Sequence, residues 1–170
     1  MSLLVECRAA EMLPETPSFT DRVAVALDTD DRAAFSAWCR TFGPRVGVLK
    51  VGLEAFVRWG PPAVAEARSA GRSVFLDLKL HDIPNTVAGA VRSARELGVS
   101  YLTVHAGGGP AMIEAAAHAA GDDLSILAVT LLTHLDEPLL RPAGREPTAS
   151  SARRSRRPCC AGPIRGRSCW

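Results

Sequence analysis

Short runs of aliphatic residues alternate along this chain with longer stretches in which apolar residues recur every third or fourth position. The runs at 23–27, 46–51, 73–79, 101–105 and 125–132 have the length and β-branched character of buried strands. Between them the pattern predicts helices. One covers 30–42, capped by Asp30 and stopped by Gly43-Pro44. A second covers 52–70, interrupted at Gly60-Pro61-Pro62, and a third 83–97, ended by Gly98. A fourth opens at Gly107-Gly108-Gly109-Pro110 and runs through Ala120.

The predicted strands begin 23 to 28 residues apart. Strand and helix alternating at that interval imply right-handed βαβ units and a parallel sheet. No Gly-x-Gly-x-x-Gly follows the first strand, which disfavours a dinucleotide-binding sheet. The expectation is an α/β chain of the parallel (β/α)8 barrel class with about five of its units, since a whole barrel needs roughly 200–250 residues. Residues 1–20 read as an extension, 21–140 as the partial barrel and 141–170 as a tail without periodicity.

One stretch stands apart from this pattern: Phe75-Leu76-Asp77-Leu78-Lys79-Leu80-His81-Asp82-Ile83-Pro84-Asn85-Thr86. It starts as a strand with Phe75, Asp77 and Lys79 on one face and Leu76, Leu78 and Leu80 on the other. Charges on one face of an apolar strand are costly to bury unless they pair or do chemistry. The strand then turns into a helix start, with Asp82 as the expected N-cap and Pro84 in the first turn. Asp77, Lys79 and Asp82 would thus gather at the C-terminal end of a parallel strand, where active sites of such folds lie. Of 20 basic residues only two, Lys50 and Lys79, are lysines, and each ends a predicted strand. A guanidinium holds its proton at useful pH, whereas an ammonium can donate one. A purely structural Asp-Lys-Asp ion network is the alternative that spacing leaves open.

Asp77-Leu-Lys79-Leu-His-Asp82-Ile-Pro-Asn-Thr86 resembles the signature of the orotidine 5'-phosphate decarboxylase family, from about Arg22 to about Leu140. The resemblance implies a (β/α)8 barrel that converts orotidine 5'-phosphate to UMP in pyrimidine synthesis, without cofactor or metal, as a cytoplasmic homodimer. By that likeness Lys79 is the proton donor and Asp77 lies beside the scissile carboxylate. Asp28 and Lys50 contact the ribose, while Asp82, Ile83 and Thr86 reach the neighbouring subunit's site. The segment Val129-Thr130-Leu131-Leu132-Thr133-His134 is similar to one that meets the pyrimidine, which makes Thr133 a substrate contact. His134 stands where the family usually has Ser, and is either a base contact or an ordinary loop histidine. His105 reads as a hydrogen-bonded rim residue, His81 as pointing away from the charged face, and His118 as a surface residue. Gly107-Gly108-Gly109 reads as a tight turn rather than a phosphate cradle, because barrels of this class hold phosphate after strands seven and eight.

Composition narrows the alternatives. The chain is 47% hydrophobic and 22% charged, which suits a buried core. No apolar run reaches the roughly 18 residues of a membrane span. Residues 1–20 carry Glu6, Arg8, Glu11 and Glu15 and no signal-peptide core. Five scattered cysteines form neither a metal motif nor a disulfide framework and fit a reducing compartment. Residues 141–170 hold eight Arg and one Glu, a net of +7, so a chain total of +2 leaves −5 for residues 1–140. The basic tail reads as the product of a reading-frame shift or truncation, or as a disordered extension. Without the last three βα units the chain is expected to lack the family's phosphate grip and to be inactive as written. Two rival readings follow. One is a Mg2+-dependent sugar-phosphate decarboxylase or aldolase of the same suprafamily, which Ile83-Pro84-Asn85-Thr86 disfavours. The other is a non-catalytic fragment whose tail binds polyanions; nucleic acid is not an expected partner, because the tail has no aromatic residue before Trp170.

Overall fold

A computed structural model describes residues 18–135 of the chain. Its strands are β1 (Ala24–Ala26), β2 (Val48–Gly52), β3 (Ser73–Leu80), β4 (Tyr101–His105) and β5 (Ser125–Val129). Its helices are α1 (Arg32–Phe42), α2 (Leu53–Trp59), α3 (Pro61–Ser69), α4 (Pro84–Glu96) and α5 (Gly109–Ala120). The strands form one parallel sheet in the order β1-β2-β3-β4-β5. Spatial order equal to chain order, with helices in every connection, is the arrangement of consecutive barrel units. A doubly wound sheet would reverse its order part-way.

One face of each strand packs under the helices. Leu49, Val51, Val74, Leu76, Leu102, Val104 and Ile126 are at most 1% exposed. They meet Phe35 and Cys39 of α1, Ala63, Val64 and Ala67 of α3, Val87 and Val91 of α4, and Met112 and Ala116 of α5 in one continuous core. Small residues on α3 and α5 let those helices lie close to the sheet. Phe35 meets Trp59 edge-on at 5.2 Å, and Arg32 lies over both rings while its guanidinium holds Glu66 at 2.5 Å. Burial pushes the Cys39 thiol up to about 11, against the neighbouring Arg32 and Arg40 charges, so this cysteine is a packing residue.

Several boundaries differ from the sequence expectation. β1 is three residues rather than five, and β5 ends at Val129 rather than 132, so that 130–135 run as a loop. The cap of α1 is Asp31 rather than Asp30, since the Asp31 carboxylate accepts from the amides of Ala33 and Ala34 at 2.7 and 3.3 Å. Asp82 does not cap α4. Its carboxylate accepts from the next amide, Ile83, at 2.6 Å, and Ile83 itself is the N-cap. Pro84 at the first helical position forces the preceding residue to be extended, which moves the cap one residue later than Asp82. The expected interruption near 60 is present: Gly60, at φ +59°, separates α2 from α3. Gly107-Gly108-Gly109 forms a tight turn, with a 3-10 segment at Ala106–Gly108 leading into α5. The expected extension and tail lie outside the described residues, apart from 18–20.

Candidate active site

The C-terminal ends of β1, β2 and β3 carry four charged groups that touch in series. Lys50 Nζ lies 3.4 Å from Asp28 Oδ2 and donates to Asp77 Oδ2 at 3.2 Å. Lys79 Nζ donates to Asp77 Oδ1 at 2.7 Å. The signs therefore alternate along Asp28, Lys50, Asp77 and Lys79. Parallel register makes this possible: Asp77 pairs with Gly52 across the β2–β3 boundary, one strand over from Lys50. A Cβ at Gly52 would stand 2.5 Å from Asp28 Oδ1, so a side chain there would displace that carboxylate from the series.

Asp77 is the hub and is only 8% exposed. Burial alone would raise its pKa. Hydrogen bonds from Lys79 and Thr103 and the charges of Lys50 and Lys79 outweigh that, and hold the carboxyl below its ordinary value of 3.8. Asp77 is thus a carboxylate at neutral pH, with both oxygens engaged.

Lys79 has φ +51°, the one described non-glycine residue with positive φ. The β3–β4 ladder is irregular there: Leu76 pairs with Leu102, but Leu80 pairs with Val104. Two extra residues of β3 are accommodated between those pairs, and Lys79 takes the left-handed turn within the bulge. Its amide donates to Thr103 Oγ1 at 2.8 Å instead of to a strand carbonyl. Backbone strain of this kind is a feature of functional sites, where the surrounding structure holds it in place.

Lys50, Phe75, Asp77, Lys79 and Thr103 line a cleft of about 370 Å³ together with Leu127–Val129 and Leu131–His134. The Phe75/Asp77/Lys79 face expected from alternation is therefore the cleft face. Thr133 and His134 are brought to its wall, both exposed. Asp82, Ile83 and Thr86 are not brought into the cleft; they are exposed at the start of α4. His81 is absent from the cleft wall and stacks on His105, with ring centroids 5.1 Å apart. His105 accepts from the Gly107 amide at 3.1 Å, in keeping with a hydrogen-bonded rim residue, and His118 is exposed on α5. Sequence reading missed Thr103. The signal was in the alternation of β4, where Tyr101, Thr103 and His105 share a face opposite Leu102 and Val104. A larger hollow, about 840 Å³, lies at the other end of the strands between Arg68, Arg72, Asp21 and Gly98. It is an open surface crossed by an Arg72–Asp21 ion pair, and it holds no comparable set of converging groups. Among the described residues no three His, Cys, Asp or Glu side chains converge as metal ligands, and no helix is long and apolar enough to cross a membrane.

A consecutive parallel βα sheet with a chain of alternating carboxylates and ammoniums at its C-terminal rim defines a protein of the barrel-type α/β class with a charged cleft. The chain belongs to the orotidine 5'-phosphate decarboxylase / HUMPS family, which it matches over residues 21–164. That span runs past 140, where sequence reading ended the resemblance. Over 125 residues the chain is 53% identical to an orotidine 5'-phosphate decarboxylase of Anaeromyxobacter sp. (strain K), covering 74% of this chain and 55% of that one. The corresponding enzyme of Thermobifida fusca is 50% identical over 134 residues, 78% of this chain and 57% of that one. Among solved structures, the Lactobacillus acidophilus orotidine 5'-phosphate decarboxylase superposes with a TM-score of 0.67 at 34% identity, over 76% of this chain and 62% of that one. The chain spans about half the length of the curated relatives it matches.

Proposed function

We propose that this site decarboxylates orotidine 5'-phosphate to UMP, with Lys79 as the proton donor. The observation that carries the reading is the unbroken Asp28–Lys50–Asp77–Lys79 series, of which Lys50, Asp77 and Lys79 line the cleft while Asp28 stands outside its lining. Loss of CO2 breaks the bond between C6 and the carboxylate and leaves the electron pair on C6 of the pyrimidine. A fixed ammonium stabilises that charge as it develops and then delivers its proton to C6, to be reprotonated from solvent. In this reading Asp77, kept ionised by its two lysines and Thr103, faces the substrate carboxylate and disfavours the ground state. It also holds the Lys79 ammonium at 2.7 Å. On the same reading Asp28 and Lys50, next in the series, are ribose contacts, and Thr133, which also lines the cleft, is a base contact. The chemistry calls for neither cofactor nor metal. A cytoplasmic location accords with an unpaired, buried Cys39.

A homodimer with shared sites belongs to the same reading. Asp82, Ile83 and Thr86 stand outside the cleft of their own chain, and Ile83 is 66% exposed although apolar, which suits coverage by a second subunit. Mixing full-length Lys79→Ala with full-length Asp82→Ala subunits would then rebuild one intact site per mixed dimer. Random exchange predicts recovery of about a quarter of the parent sites. No recovery despite proven exchange would restrict Asp82 to its own chain.

Because the chain spans about half of its relatives' length, the decisive experiment joins residues 18–135 to the remaining C-terminal part of the Anaeromyxobacter relative. The folded chimera is expected to consume orotidylate, followed by loss of its absorbance, and to do so unchanged in EDTA. The 170-residue polypeptide alone is expected to show no measurable turnover. Among the described residues its sheet ends in two edges, β1 and β5, where a closed barrel has none. A folded but inert chimera sinks the reading, and loss of activity in EDTA transfers it to the metal-dependent sugar-phosphate branch.

A further inference from the structure

We propose that Thr103 is the positioning residue that sets the Lys79–Asp77 pair in its reactive geometry, a role that rests on the reading of Lys79 as proton donor. Thr103 is 3% exposed in the middle of β4. Its hydroxyl makes two contacts at once. It accepts the Lys79 amide at 2.8 Å and lies 2.9 Å from Asp77 Oδ1. A hydroxyl has one proton to give, and an ionised carboxylate can only accept. The direction of the chain is therefore fixed: Lys79 N–H donates to Thr103, and Thr103 O–H donates to Asp77.

This relay joins the two parts of the site that local structure does not join. Lys79 sits in a bulge with a left-handed backbone, so its amide has no strand partner and its Cα position depends on whatever receives that amide. Asp77 Oδ1 is shared between the Lys79 ammonium and the Thr103 hydroxyl, and Oδ2 faces Lys50. One hydroxyl on the neighbouring strand thus fixes the backbone from which the ammonium hangs and also orients the carboxylate that receives it. A valine at 103 would fill the same space and leave a buried amide without an acceptor and the carboxylate short of one donor, each a costly loss. A serine would keep both bonds.

The test uses the fact that the chain has only two lysines. Lysine labelled with 13C and 15N in the 170-residue chain gives two side-chain signals, one from Lys50 and one from Lys79. The charged groups around them are Asp28 and Asp77, and His134 is the other titratable residue of the cleft lining. In the parent, the Lys79 Cε signal should report the acid titration of Asp77, and its Cα shift the left-handed backbone. Thr103→Val should move that titration to higher pH and shift Lys79 Cα, and Thr103→Ser should restore both. In the chimera, Thr103→Val should lower kcat about 10–100-fold with KM little changed, the size expected for lost hydrogen bonds to a charged group. Parent-like signals in Thr103→Val overturn the proposal, as does equal disturbance by Val and Ser, which would assign the effect to packing of the methyl. Should Thr103→Val fail to fold, Thr103→Cys takes its place, and parent-like signals there are equally fatal. An inert parent chimera would overturn the functional reading alone, since the lysine signals still judge Thr103; an active chimera with unimpaired Thr103→Val would overturn Thr103 alone.

Discussion

On its helix side the sheet is sealed by aliphatic side chains, with Leu49, Leu76 and Leu102 at 0% exposure and not one charged group among them. On its cleft side the same strands present Lys50, Asp77, Lys79 and Thr103, linked by hydrogen bonds at 2.7 to 3.2 Å. The two faces are specified in different ways. The helix side is fixed by volume, and an apolar swap of similar size would be tolerated there. The cleft side is fixed by counting donors and acceptors. No buried side-chain polar atom among the described residues lacks a partner, so removing any one member leaves another unsatisfied. Stability should therefore reside mainly in the first face and activity in the second.

The sharpest separation is expected from Lys79→Ala in the chimera. It should lower kcat by about 10⁴-fold or more, combining loss of a general acid with loss of a fixed charge, while KM and melting temperature change little. Lys79→Arg should fail nearly as badly, because a guanidinium is a poor proton donor. Activity within tenfold of the parent removes Lys79 from the chemistry. Next in size is the converse change, Leu76→Ala, one residue before Asp77 but on the helix side. It should cost about 2–5 kcal/mol of unfolding free energy while turnover per folded molecule stays near that of the parent. A large loss of kcat at unchanged stability would mean that the two faces are not separable.

The smallest effect is the pH dependence carried by Asp77. Its pKa in the folded protein lies below the ordinary 3.8, so its contribution is present above the unfolded pKa and is lost as pH falls through the folded one. Comparing each protein with itself at pH 7 and at about pH 3, Asp77→Asn should lose less stability than the parent. The difference carries the sign of a lowered carboxylate pKa and is the smallest of the three effects. Identical acid profiles in urea titrations would show that Asp77 is not held as described.

The helix side was almost fully legible in the sequence, because periodicity reports burial directly. The aliphatic runs gave all five strands, and Gly60-Pro61-Pro62 gave the break between α2 and α3. Where boundaries slipped, local chemistry outweighed pattern: Asp31 rather than Asp30 reaches two free amides, and Pro84 displaces the cap from Asp82 to Ile83. On the cleft side, alternation and the scarcity of lysine were enough to find Lys50, Asp77 and Lys79, and the resemblance to the family added Asp28. Thr103 escaped because threonine is an ordinary strand residue, and only a neighbouring strand in register gives its hydroxyl a task. The left-handed backbone of Lys79 left no trace either, since glycine and asparagine are the residues that advertise that conformation and lysine does not.

The bulge in β3 also limits how this gene segment can change length. Between Leu76 and Leu80 the strand spends four residues where β4 spends two, from Leu102 to Val104. The excess is even, so Leu76 and Leu80 both remain packed with the core on the helix side. Deleting a single codon among 77–79 would make the excess odd and exchange inward for outward along the rest of the strand. Removing two would preserve the alternation but erase the turn from which Lys79 projects. The segment is thus closed to insertion and deletion by arithmetic, quite apart from which amino acids it contains.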